Sequence, residues 1–234
     1  AIDGGARVDW LKKATDLAIA RLTNPAGFFM MVEGGRIDYF CHYNDAASFV
    51  GELIDFDKAV QNAIAFYQLH PEETLVIVTA DHETGDVSFT DGDRGALLLQ
   101  TISSDTCDNT LVADCVAKKT PFSEALPIFT SAFGLNDLTA DETAVLKEAY
   151  YRTIQNSMPG NTSDEESGVY DPITTACINL VAARAGVVFG SGGHTAKDVP
   201  LFALGIGSEF FSGSYENTQI HDAILQAVSA YPLS

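Results

Sequence analysis

The chain has 234 residues, 46% of them hydrophobic, which is enough for one sizeable core or one core with a large insertion. Its formal net charge of −19 excludes nucleic acid as a partner, because phosphate backbones need Lys and Arg to neutralise them. The same charge repels an anionic substrate unless a bound divalent cation reverses the local field, and no apolar run reaches the ~18 residues that a membrane span needs.

In chain order, the spacing of apolar residues predicts an amphipathic helix over Val8–Leu22, stopped by Asn24-Pro25-Ala26-Gly27. Phe28–Val32 is a continuous apolar run, predicted to be a strand buried on both faces and broken by Glu33-Gly34-Gly35. A second helix is expected from about Asn44 to His70, closed by Pro71, and a second strand over Thr74–Ala80. Helix, strand, helix, strand predicts a parallel sheet with helices on its faces.

From about Asp93 to Thr174 the texture changes to helical pieces, notably Ala140–Ile154, and polar loops; residues 93–185 read as an insertion or cap. Ile173–Ala185 looks helical, Val187–Phe189 and Pro200–Gly205 look like short strands, and Ile220–Ser229 like a final helix. Residues 1–92 and 186–234 then make up the α/β core. The first residue is Ala1 rather than Met, so a processed or excised product is expected, and an export signal could have been removed. The four cysteines form no CxxC; Cys107 and Cys115 could pair if the compartment is oxidising.

Chemistry concentrates in three places. Asp38 and His42 lie four apart after the first apolar run, so a helix starting near Asp38 puts both on one face; carboxylate plus imidazole is a zinc-type pair. Nearby Glu33 offers only a carboxylate, which suits a hard ion such as Mg²⁺. Asp81 and His82 follow the second strand and can converge on one ion only where the backbone turns, as Gly85 allows. A glycine-rich loop, Gly190–Gly193, delivers His194. His70 and His221 read as ordinary helix residues, and Arg36 and Lys197 could contact an anionic substrate but read first as surface residues. Three of the five histidines thus sit beside glycines or carboxylates next to predicted strands, a convergence that points to a metal site.

Three blocks, FFMMVEGGRIDYFCHYNDAA, VTADHETGD and SGGHTAKDVPLFALG, resemble the alkaline phosphatase family in content and order. The helix text NDAASFVGELIDFDKAV adds to the likeness, which spans residues ~6–92 and ~186–234. The resemblance implies an α/β three-layer sandwich with a mainly parallel sheet, of which this chain is the carboxy-terminal part. It implies that Asp38, His42 and His194 hold one Zn²⁺, that Asp81 and His82 hold part of a second, and that Glu33 serves a Mg²⁺ site. It further implies a phosphate monoester substrate, a periplasmic or extracellular location, and a homodimer or association with the amino-terminal half. The family's Asp-Ser-Ala nucleophile motif, bridging aspartate and phosphate-binding arginine find no match here, and Ser48, Ser103 and Ser191 lie in other contexts. The expectation is therefore that the isolated chain binds metal without turning over. Two alternatives stay open: a non-catalytic metal-binding or partner module, and another metallohydrolase such as a phosphodiesterase, sulfatase or phosphomutase.

Overall fold

A computed structural model describes residues 2–158 and 170–231. The principal elements in chain order are α1 (Trp10–Leu22), α2 (Arg36–His42), α3 (Ala46–Leu69), β1 (Leu75–Val78), β2 (Glu83–Thr84) and β3 (Val87–Phe89). Next come α4 (Ser104–Thr106), a π-helical segment (Cys107–Val112), α5 (Ala113–Lys118), α6 (Phe122–Phe133), α7 (Ala140–Asn156) and α8 (Pro172–Ala185). β4 (Val187–Phe189), β5 (His194–Thr195), β6 (Phe202–Gly205) and α9 (Gln219–Ala230) complete the order. The chain divides into two compact units. One comprises 1–8, 35–52 and 84–194, and the other 9–34, 53–83 and 195–234.

The first unit is mostly helical. Its core gathers Phe40 from α2, Phe129 and Phe133 from α6, Leu146 and Tyr150 from α7, and Ile173, Cys177 and Val181 from α8. Local signals start these helices. Thr139 and Glu142 form a reciprocal capping box at α7, and Pro172 opens α8 at a position that needs no backbone N–H. Two carboxylates organise the polar interior. Asp45 is fully buried and accepts from Ser48 N–H, Ser48 Oγ, Gln100 Nε2, Ser104 N–H and Ser104 Oγ, at 2.6–3.1 Å. Asp105 accepts from Arg36, Tyr39 and Tyr170. Burial works against the charge of Asp105, but the hydrogen bonds of Tyr39, Tyr170 and Arg36 hold its pKa below the ordinary carboxylate value.

In the second unit, β1 and β6 lie over α9, with Leu75, Ile77 and Ala203 packed against Phe211, Ala223 and Ala227. The start of α1 is tied to α3: Leu11 N–H donates to Asp55 Oδ2 at 3.2 Å and Asn62 Nδ2 to the Lys12 carbonyl at 3.0 Å. No helix of the described residues is long and apolar enough to cross a membrane.

Three sequence expectations need correction. The mainly parallel sheet is not found among the described residues, which form three two-stranded pairs: β1–β6, β2–β5 and β3–β4. β1–β6 and β3–β4 are antiparallel, with Leu75 opposite Gly205 and Val87 opposite Phe189. The parallel reading needed Phe28–Val32 as the neighbour of β1, and β1 pairs instead with a strand reached through most of the chain, a connection long enough to permit either direction. Phe28–Val32 itself enters no ladder among the described residues. Its side chains alternate as in a strand, with Phe29 and Met31 exposed and Phe28 against the Phe66 ring, but alternation without a hydrogen-bonded neighbour does not make a sheet. Finally, Cys107 and Cys115 are both free and buried, and burial pushes the Cys107 thiol up to about 12. The helical run between them separates the pair by about 12 Å, beyond the ~7 Å that a disulfide can bridge.

Candidate metal centre

Two turns of helix and a glycine-rich loop build the centre of the first unit. α2 starts right after Gly34-Gly35, and its 3.6-residue period places Asp38 and His42 one above the other. Their side chains meet, with His42 Nε2 3.4 Å from Asp38 Oδ2. His194, in β5, brings its own Nε2 to 3.1 Å from His42 Nε2 and 3.6 Å from Asp38 Oδ1. Two imidazole nitrogens and both oxygens of Asp38 therefore cluster, with neighbouring separations of 3.1, 3.4 and 3.6 Å. An ion held tetrahedrally at ~2.0–2.1 Å from its N and O ligands separates those ligands by roughly 3.3 Å. Two imidazoles and a carboxylate are donors of the type that could hold such an ion.

The surroundings prepare these donors. His42 Nδ1 lies 2.8 Å from the Gly192 carbonyl, which can only accept, so Nδ1 carries a proton and Nε2 is the nitrogen turned to the cluster. Thr84 Oγ1 donates to Asp38 Oδ1 at 2.5 Å. The amide of Asn44, oriented as its neighbours require, donates to the carbonyls of Cys41 and Ser191 at 3.1 Å each and ties the end of α2 to the glycine loop. Gly85 (φ +90°) lies under the same junction; a Cβ there would sit 3.2 Å from the Cys41 carbonyl and 3.1 Å from the Phe189 ring. Its N–H donates to the Gly193 carbonyl, and its own carbonyl accepts from Gly190 and Ser191.

Asp81 and His82 belong to the second unit, where His82 Nε2 lies 3.2 Å from Asp81 Oδ2. The two side chains are a possible pair of donors, with Asp81 largely exposed. Glu33, also in the second unit, is exposed. Sequence reasoning missed the supporting groups Thr84, Asn44 and the Gly192 carbonyl. Thr84 stands two residues past His82 and Gly192 two before His194, so closeness to the motifs was the only signal they carried.

Residues 2–230 match the family model described as alkaline phosphatase. The chain is 32% identical over 231 residues to alkaline phosphatase 3 of Bacillus subtilis, covering 97% of this chain and 46% of that protein. It is equally 32% identical to alkaline phosphatase 4 of the same organism, over 93% of this chain and 43% of the relative, so it spans about half the length of the curated relatives it matches. Among solved structures, a cold-active alkaline phosphatase from Shewanella superposes with a TM-score of 0.75 over 96% of this chain and 52% of that one; at 23% identity this speaks to the fold alone. A mutant of the TAB5 alkaline phosphatase, solved with Mg bound, is 27% identical at a TM-score of 0.55, over 96% of this chain and 42% of that chain. On the match across nearly its whole length, this chain belongs to the alkaline phosphatase family.

Proposed function

We propose that the chain supplies metal ligands to a metal-dependent phosphate monoester hydrolase, an alkaline phosphatase, and does not complete the reaction by itself. The observation that carries this reading is that the side chains of Asp38, His42 and His194 gather within 3.1–3.6 Å of one another. In this reading these three hold one zinc, Asp81 and His82 supply part of a second zinc site, and Glu33 supplies part of a magnesium site. Zinc there would act as a Lewis acid on the oxygens of a phosphate ester, and two such ions can clamp attacking and leaving oxygens. Positive charge at this point would also offset the −19 of the chain where an anionic substrate must approach.

The chain's own residues hold and orient. Gly192 fixes the His42 tautomer, and Thr84 holds one oxygen of Asp38. The serines considered as nucleophiles have structural work instead. Ser48 Oγ donates to the buried Asp45, Ser103 Oγ caps α4 by accepting from Thr106 N–H, and Ser191 Oγ accepts from Gly193 N–H. In this reading the nucleophilic serine and the phosphate-binding arginine come from the amino-terminal half of the family enzyme. Association with that amino-terminal half, or a homodimer, would assemble the active form in the periplasm or outside the cell. Residues 1–92 and 186–234 would form the metal-binding core and 93–185 its insertion.

The test combines elemental analysis with p-nitrophenyl phosphate turnover at alkaline pH. The zinc-loaded chain is expected to hold about one tight zinc and to show no turnover above that of His194→Ala, with activity appearing when the amino-terminal half is added. A folded chain that retains no zinc after loading would sink the metal reading. Substantial chelator-sensitive turnover by the pure chain would sink the claim that it is incomplete.

A further inference from the structure

Helix α2 has two faces with different work. At about 100° per residue, Arg36 lies well round the helix from Asp38 and His42, Tyr39 flanks them, and Tyr43 follows as the C-terminal cap. Arg36 and Tyr39 are fastened to a single carboxylate from the 93–185 segment. Asp105 Oδ2 accepts from Arg36 Nη2 at 2.8 Å, and its Oδ1 accepts from Tyr39 Oη at 2.6 Å. Tyr170 Oη donates to the same Oδ1 at 2.8 Å, while its ring packs on Tyr43 with centroids 4.5 Å apart. The Arg36 guanidinium lies 5.1 Å from the Tyr39 ring centroid, and its Nε is 3.8 Å from the buried Glu52 carboxylate. α2 has seven residues, and so short a helix has little capacity to hold its own orientation. Metal ligation, in contrast, demands donor distances good to about 0.2 Å.

We propose that Asp105 is a positioning residue for the metal centre: by gripping Arg36 and Tyr39 it sets the rotation of α2 about its axis, and so aims Asp38 and His42 at His194. This gives the 93–185 segment a role in the metal site, although it contributes none of the proposed ligands. The inference rests on the reading of Asp38, His42 and His194 as zinc ligands.

The experiment compares four forms of the 234-residue chain: wild type, Asp105→Asn, Tyr39→Phe, and Asp114→Asn, a control that removes an equal charge from an exposed pair with Lys118 in the same segment. Zinc affinity is read by chelator competition and site geometry by the visible absorption of bound cobalt. Losing a partner that orients a ligand typically costs 10–100-fold in metal affinity, so Asp105→Asn is expected to weaken zinc at least about 10-fold and to change the cobalt spectrum. Tyr39→Phe keeps the ring packing and should shift both in the same direction by a smaller factor, and Asp114→Asn should match wild type. If Asp105→Asn fails to fold, Tyr39→Phe carries the test. Wild-type affinity and spectrum in both Asp105→Asn and Tyr39→Phe would overturn the inference. A wild type that binds no zinc instead sinks the ligand reading. The positioning claim is then read by imidazole nitrogen NMR, where Asp105→Asn should mix the tautomers of His42 and an unchanged single Nδ1–H tautomer would overturn it.

Discussion

The hydroxyl of Thr84 donates a 2.5 Å hydrogen bond to Oδ1 of Asp38, the oxygen that also lies 3.6 Å from His194 Nε2. One carboxylate oxygen thus serves a fixed donor and the proposed metal position together, which restricts the rotation of the Asp38 side chain. Thr84→Val, nearly the same shape without the hydroxyl, is expected to lower zinc affinity roughly 10-fold. Thr84→Ser is expected to recover most of it. Chelator competition on both variants is the check, and equal affinity in wild type and Thr84→Val would remove Thr84 from the account of the site.

Metal should also stabilise the fold. A ligand that binds only the folded chain adds about 2.7 kcal/mol at a free concentration one hundred times its dissociation constant. Zinc is therefore expected to raise the melting temperature of wild type by several degrees, and a chelator to reverse the gain. His194→Ala leaves two of the three donors and should lose most of this shift, while His221→Ala, on the exposed start of α9, should keep it. Differential scanning calorimetry with and without zinc separates the two.

The helices were legible because their signals are local. Apolar periodicity over Val8–Leu22 and Asn44–His70 corresponds to α1 at Trp10–Leu22 and α3 at Ala46–Leu69, within two residues at each end. The four-residue spacing of Asp38 and His42 likewise becomes a shared helix face with donors 3.4 Å apart. Strand pairing was not legible. Which strand joins Leu75–Val78, and in which direction, depends on a partner at Phe202–Gly205 that no local pattern identifies. Hidden for the same reason were the polar networks: nothing in the text around Asp45 points to Gln100 or Ser104, and nothing around Tyr39 points to Asp105 and Tyr170.

Asp45 provides a test of such a network. Its fully buried carboxylate accepts, among the described residues, from hydroxyl, amide and backbone N–H donors. Asp45→Ala would leave those donors buried without an acceptor, at about 1–3 kcal/mol for each one that finds no water. The expected outcome is a loss of at least about 3 kcal/mol in urea unfolding of the metal-free chain. A loss under about 1 kcal/mol would mean that water or a shifted side chain takes over the acceptor role.

Asp171 makes a prediction for the pH dependence of stability. Burial, reinforced by the nearby Asp108 carboxylate, raises its pKa from 3.8 to about 6. Asp108 is itself raised, by burial first and by Asp105 among the charges. Because the folded chain holds the proton of Asp171 more tightly than the unfolded chain does, the benefit is complete below about pH 4 and is lost as pH rises through about 6. At pH 8 the charged form must be accommodated half-buried beside Asp108. One pKa unit corresponds to about 1.4 kcal/mol, and discounting for the solvent that reaches this group leaves a penalty of roughly 1 kcal/mol. Asp171→Asn is therefore expected to be more stable than wild type by about that amount at pH 8, and to show a flatter stability profile between pH 4 and 7. The measurement belongs on metal-free protein, because metal binding is itself pH-dependent. A variant less stable than wild type at pH 8 would show that Asp171 contributes more at the start of α8, where a negative charge favours the helix dipole, than it costs beside Asp108.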